Sequence, residues 1–322
     1  MSVADTVAAW IQLLAKLSNY SGTVLELTAV VFLIREQTDQ RSPLKSAYFV
    51  VFIVGSILDA STNVSWVAQG IWYDSSIFIR ALTNVIMWYG GIFIGTWNTV
   101  LAANRCAAMA FSNLYSRLDS GRYLLATVAF LFLFPIILHS YSLVDLDCRL
   151  FQFDARCQAY IIRTQSIVTI LNCAQAILAL LFCIYGVHKS NFVTGAVNAK
   201  GKTSKKAKLQ FRLLLQSLLT SLLLILVCIL QALAVFFERG TSSFWIIRGS
   251  ADIVFAVFHY SSLFVFFFAS SSFRRGYLRF YKINRIPFIK VGSETESKQS
   301  KIPEKSFAPP MIRQTSAAIR VT

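Results

Sequence analysis

Six side chains carry chemistry in a chain that is otherwise apolar. Glu26, Asp59 and Asp252 each fall inside a long hydrophobic run, and Arg248 precedes Asp252 by four residues, the spacing of a helical ion pair. Cys148 and Cys157 share one short polar segment, with eight residues between them. Side chains of these types act as counter-ions, polar packing contacts or a covalent staple. Catalysis would need paired acids, a Ser/His set or a metal cluster on facing segments, and the pattern offers none. The three histidines, His139, His188 and His259, are scattered, and Cys106, Cys173, Cys183 and Cys228 lack metal-ligand spacing. Neither a zinc site nor another cofactor is expected.

The elements that must position these groups are hydrophobic spans. Of 322 residues, 56% are hydrophobic and only 14% charged, against about 25% charged in a soluble domain. That excludes an ordinary soluble enzyme and a disordered chain. The net charge of +16 is interleaved with apolar runs instead of gathered on a polar domain, so a bilayer fits better than nucleic acid. Seven runs have spanning length: Val7 or Ala15 to Ile34, Ala47 to Gln69, Ala81 to Met109, Tyr123 to Val144, Ile161 to Val187, Leu213 to Phe237 and Ile246 to Ser272. The reading is an all-α membrane protein, a seven-transmembrane helix bundle over residues 1–272. An amphipathic interfacial helix follows over 273–285, and a disordered basic tail over 286–322. No basic region with a small-residue cleavage site opens the chain, so no cleaved signal peptide is expected.

Orientation follows from the basic residues in the loops. Alternate loops and the tail hold 24 Lys and Arg, against six on the other side. The bias puts the N-terminus outside and the C-terminus inside. Cys148 and Cys157 then face an oxidising compartment, where a disulfide competes with two free thiols as the reading. On the inner side, Phe273, Tyr277, Phe280 and Tyr281 fall on one helical face while Arg274, Arg275, Arg279 and Lys282 project elsewhere. Such a helix is drawn to anionic inner-leaflet lipid.

At the inner end of the third span stands Asn104-Arg105-Cys106, and the sixth is entered through Lys208-Leu-Gln-Phe-Arg-Leu-Leu-Leu-Gln-Ser217. The triplet resembles the Asp/Glu-Arg-Tyr/Cys motif of rhodopsin-like receptors, with Asn in place of the acid. Together the two segments resemble the nematode serpentine chemoreceptors of the class gamma (Srg-type) superfamily. The resemblance covers the seven-helix region. It implies a G-protein-coupled chemosensory receptor, in the plasma membrane or sensory cilium, that binds a small ligand in the outer half of the bundle and activates a heterotrimeric G protein. The chain departs from the rhodopsin-like pattern in three ways. It has no Asn-Pro-x-x-Tyr in the seventh span, no proline in the sixth and no cysteine at the outer end of the third.

Within that resemblance Arg105 is the switch arginine, with Asn104 and Arg212 beside it at the G-protein face. The competing reading is an interfacial arginine that snorkels to lipid phosphate. Asp59, with Asn63 one turn away on the same face, is either a polar hub between ligand and switch or a helix-packing contact. Asp252 is either half of a local pair with Arg248 or a counter-ion for a cationic ligand. Glu26 has no sequence-local partner. The ligand candidates are Asn63, Trp66, Asn84, Trp88, Tyr89, Gln165, Gln231 and Asp252, the polar and aromatic groups in the outer halves of the spans. Gly91 and Gly95 form a small-xxx-small pair for close helix packing. A multi-span transporter or channel subunit is the alternative, although no internal repeat supports a transporter.

Overall fold

The computed structural model describes residues 2–40, 42, 44–72, 76–111, 121–151, 155–197, 205–238 and 240–283. Residues 1–281 make one compact unit and 282–322 a second, of which only 282 and 283 are described. The tail expected over 286–322, and Lys200 and Lys202 of the basic run before the sixth span, lie outside the described residues. Lipid offers no hydrogen bonds, so a spanning segment must satisfy its backbone internally, and helices do so. Among the described residues there is no strand.

Seven long helices cross the unit: α1 (Val3–Thr38), α2 (Ala47–Trp72), α3 (Ile77–Ala110), α4 (Gly121–His139), α5 (Gln158–Val197), α6 (Lys205–Ala234) and α7 (Ser242–Ala269). Each is long and apolar enough to cross a membrane. Neighbours run α1–α2–α3–α5–α6–α7 and back to α1. The third helix also touches α4 and α6, which makes it the central strut. Leu125, Ile137 and Ile170 are among the many large apolar side chains exposed on the outside, as a lipid-facing surface requires. The core is aromatic where α1, α2, α3 and α7 meet, with Phe32, Tyr48, Phe52, Phe93, Trp97 and Phe266 all buried.

Helix ends differ from the apolar runs for local reasons. Ser2 and Asp5 form a reciprocal capping box, which starts α1 well before the hydrophobic run. Pro135 cannot donate to the carbonyl of Leu131, and four residues later α4 gives way to a 3-10 turn over Ser140–Val144. The sixth helix stops at Ala234, short of Phe237. The seventh breaks at Ser270, whose hydroxyl accepts from the Phe273 amide and opens α8 (Ser271–Phe280). The aromatic face of α8 packs on α1. Phe273 and Tyr277 lie 5.3 and 5.6 Å from Phe32, ring to ring. Tyr277 and Tyr281 hydrogen-bond the Thr28 hydroxyl and carbonyl, each at 2.7 Å. Arg275 and Arg279 stay exposed.

Candidate functional site

A cavity of about 340 Å³ opens between the helices at the end where α3 begins. A short helix, Leu146–Leu150, covers that end, and Cys148 within it is joined to Cys157 by a disulfide. Trp88 of α3 donates its indole N–H to Ser142 at 2.6 Å, and Asn84 donates to the Leu150 carbonyl. The covering segment is therefore tied both covalently and to the first turns of α3.

Six of the expected ligand residues line this cavity: Asn63, Trp66, Trp88, Gln165, Gln231 and Asp252. Two do not. Asn84 is spent on Gln69 and Leu150, and the Tyr89 hydroxyl reaches the Phe132 carbonyl at 3.2 Å while its ring stacks on Phe93. Arg248 and Asp252 approach to 3.7 Å, and both face the cavity. Gln231 accepts from Thr169 at 3.3 Å, linking α6 to α5. Asn172 donates to the Gly91 carbonyl at 2.6 Å. A Cβ at Gly95 would lie 2.1 Å from Gln175 Oε1, so the glycine is what lets α3 and α5 approach here.

Sequence reasoning missed several lining residues, and two of them are notable. His139 stacks on Trp88, ring centroids 5.1 Å apart, and its Nε2 makes no hydrogen bond. Arg149 is only 7% exposed, and its Nε is likewise without a hydrogen bond. Burial pulls its guanidinium below the ordinary arginine range, an effect opposed by the nearby Tyr160 hydroxyl. No carboxylate among the described residues pairs with it: Asp147 pairs with Arg156, and the Asp145 side chain caps the Cys148 amide. The signal available in the sequence was its place next to Cys148, since a stapled loop fixes its neighbours.

The opposite end holds Arg105, 1% exposed in the bundle. Its guanidinium carbon sits 3.5 Å from the centroid of the Tyr48 ring on α2, a cation–π contact. The Tyr48 hydroxyl donates to Gln216 Oε1 on α6 at 2.6 Å, and Gln216 Nε2 donates to Ser262 on α7 at 2.8 Å. A single polar chain thus joins four helices. The Arg105 side chain is enclosed by the bundle and does not reach its surface. Asn104 keeps an oxygen without a hydrogen bond, and Arg212 is exposed one turn before Gln216. About 21 Å of α3 separates Arg105 from Gly91 at the cavity wall.

The serpentine type 7TM GPCR chemoreceptor Srv family matches residues 22–283. The chain belongs to that family. No curated protein matches it. This Srv chain is thus a GPCR-type chemosensory receptor and an integral protein of the plasma membrane, in a receptor family and not a family of enzymes or transporters. The nematode serpentine resemblance holds at that level. The cavity and the Arg105 chain are the two places in this Srv receptor where polar side chains converge near opposite ends of α3.

Between them lies Asp59, 3% exposed, with His259 Nδ1 2.6 Å from its Oδ2. Glu26 completes a cluster with these two. The histidines are thus not all isolated, as their sequence positions suggested, and Glu26 has neighbours that are distant in sequence. Helices that are antiparallel or non-adjacent in sequence supply them, and linear spacing carries no trace of that.

Proposed function

We propose that this receptor binds a small organic ligand in the 340 Å³ cavity and passes the event along α3 to Arg105, which then engages a heterotrimeric G protein. One observation supports this above the others: α3 carries both a cavity wall, through Trp88 and Gly91, and the buried arginine of the Tyr48–Gln216–Ser262 chain. Ligand binding shifts the population toward a state in which α6 is displaced and the chain is open. It can do so only by its differential affinity for the two states. Asp59 relays between the ends. In this reading the cavity opens outside the cell, with the N-terminus, while α8 and the C-terminal tail lie inside. The exposed Arg275 and Arg279 meet anionic inner-leaflet lipid. The finer kinship is with the class gamma (Srg-type) superfamily, on Asn104-Arg105-Cys106 and the entry to α6. The ligand carries an anionic or strongly hydrogen-bonding group for Arg149, because a buried guanidinium with no carboxylate partner among the described residues is costly to leave uncompensated.

The test is nucleotide exchange on a co-reconstituted heterotrimeric G protein, measured against a panel of small organic compounds. Compound-dependent exchange is expected. Compound-dependent flux or current through the same vesicles, without exchange, would count against the proposal.

A further inference from the structure

The bundle holds a second polar centre that ligand recognition does not use. Glu26 on α1, Asp59 on α2 and His259 on α7 are 4%, 3% and 8% exposed, so all three are more than nine-tenths buried. One carboxylate oxygen from each acid and one ring nitrogen of His259 lie within 4.8 Å of one another.

Several atoms of this cluster lack partners. His259 Nδ1 is 2.6 Å from Asp59 Oδ2, yet the two meet at an angle that makes no hydrogen bond. Glu26 Oε2 and the hydroxyl of Ser56, which lies beside Glu26, also make no hydrogen bond of ordinary geometry. Ser56 precedes Asp59 by three residues and so shares its helix face. Four polar groups therefore crowd one small volume with several of their atoms left without a hydrogen bond of ordinary geometry, where buried polar atoms are normally paired.

The surroundings hold them there. Phe255 and Phe258 set their rings edge-on to His259, with centroids 4.3 and 5.1 Å away. Tyr260, the next residue on α7, packs so closely on α1 that a Cβ at Gly22 would lie 1.3 Å from its ring. Gly22 is one turn before Glu26, so this glycine is what brings the acid within reach of α7.

Charge and donor type narrow the occupant. Metal ligands bind deprotonated, and in that form two carboxylates with a neutral imidazole carry minus two, a charge that one divalent cation cancels. An imidazole donor is a poor match for sodium, calcium or magnesium, which take oxygen, and a good one for zinc and its neighbours. Tetrahedral zinc with bonds of about 2.0–2.2 Å sets its ligands about 3.4 Å apart, so side-chain rotations must close the widest gap in the cluster by up to about 1.4 Å and open the His259–Asp59 contact by somewhat less. We propose that Glu26, Asp59 and His259 form a binding site for a divalent transition-metal cation of the zinc type, with a fourth position facing Ser56. Metal there ties α7 to α1 and α2. Binding is a simple exchange in which any protons held by the three side chains are released to solvent as the metal enters.

The full chain, purified without a histidine tag in phosphatidylcholine nanodiscs and stripped with chelator, is titrated with Zn2+ alone and its bound metal measured. About one tightly held zinc per chain is expected, with affinity lowered at least about tenfold in His259→Gln and in Asp59→Asn. The wild type gives a second readout that needs no variant: Co2+ should produce saturable visible absorption bands that Zn2+ abolishes. Absence of both stoichiometric zinc and cobalt bands overturns the proposal. So does zinc binding that His259→Gln leaves unchanged, or thermal stabilisation by Na+ with none from Zn2+. Metal content is read independently of signalling, so a failure here leaves the receptor reading untouched, and a failure of that reading leaves the site standing.

Discussion

Arg105 and Tyr48 meet face on, the guanidinium carbon 3.5 Å above the ring centroid, with both side chains buried. A desolvated cation–π contact is worth about 2 kcal/mol. The same ring carries the hydroxyl that holds Gln216 of α6. The two halves of the contact can therefore be removed separately. Tyr48→Phe keeps the ring and loses the hydrogen bond, whereas Tyr48→Leu loses both. If the chain holds the resting state, basal nucleotide exchange should rise slightly in Tyr48→Phe. In Tyr48→Leu it should rise about fivefold to thirtyfold, the range that 1–2 kcal/mol allows. Equal exchange in all three proteins would remove the chain from the mechanism.

Asn104 leaves an oxygen without a hydrogen bond beside this contact. An acid there could pair with Arg105 and deepen the resting state, so Asn104→Asp should lower basal exchange. Higher basal exchange at matched surface expression would mean that the local charge acts in the other direction.

The covering segment depends on Cys148–Cys157. A disulfide contributes about 2–4 kcal/mol, mainly by restricting the unfolded chain. Cys148→Ser with Cys157→Ser should lower the thermal midpoint and weaken ligand binding, since Arg149 is then no longer held over the cavity. In the wild type, an impermeant thiol probe should label this segment in intact cells only after reduction. Labelling before reduction would show that the receptor at the cell surface carries free thiols.

Arg149 and Asp252 face the same cavity with opposite charges. Arg149→Gln should weaken an anionic ligand about tenfold or more and spare a cationic one, because charge-assisted hydrogen bonds are the stronger kind. Asp252→Asn should act mainly on the Arg248 pair and leave anionic ligands bound. Dose–response curves for both variants decide the sign of the ligand. Loss of cationic ligands in Asp252→Asn alone would make that acid the counter-ion.

The seven spans were legible because a bilayer imposes a length and a composition that any one stretch of sequence must satisfy by itself. The helix ends were less so: the box at Ser2, the break at Ser270 and the turn after Pro135 depend on single caps and one missing donor. The cavity was partly legible, since large polar and aromatic groups within apolar spans have few other places to go. Which side of each helix faces inward was not. Asn84 and Tyr89 had the right depth and the wrong facing, while Arg149 and His139 came from a segment whose path the disulfide and Trp88 set. The Tyr48–Gln216 bond spans 168 residues and the contact of Asp59 with His259 joins α2 to α7, separations that no local pattern encodes.

A C-terminal tag should be protected from external protease in intact cells, as the distribution of Lys and Arg requires. Cleavage of that tag from outside would invert the bundle and place Arg105 on the wrong side for a G protein.

The most direct measurement combines two substitutions and needs no ligand. Basal nucleotide exchange on a co-reconstituted heterotrimeric G protein is compared for the wild type, Tyr48→Leu and the double variant Tyr48→Leu with Arg105→Ala, at equal amounts of folded receptor. Opening the chain should raise exchange, and removing the arginine from the opened receptor should return it to the level of empty vesicles. Raised exchange that persists in the double variant would contradict the assignment of Arg105 as the group that engages the G protein.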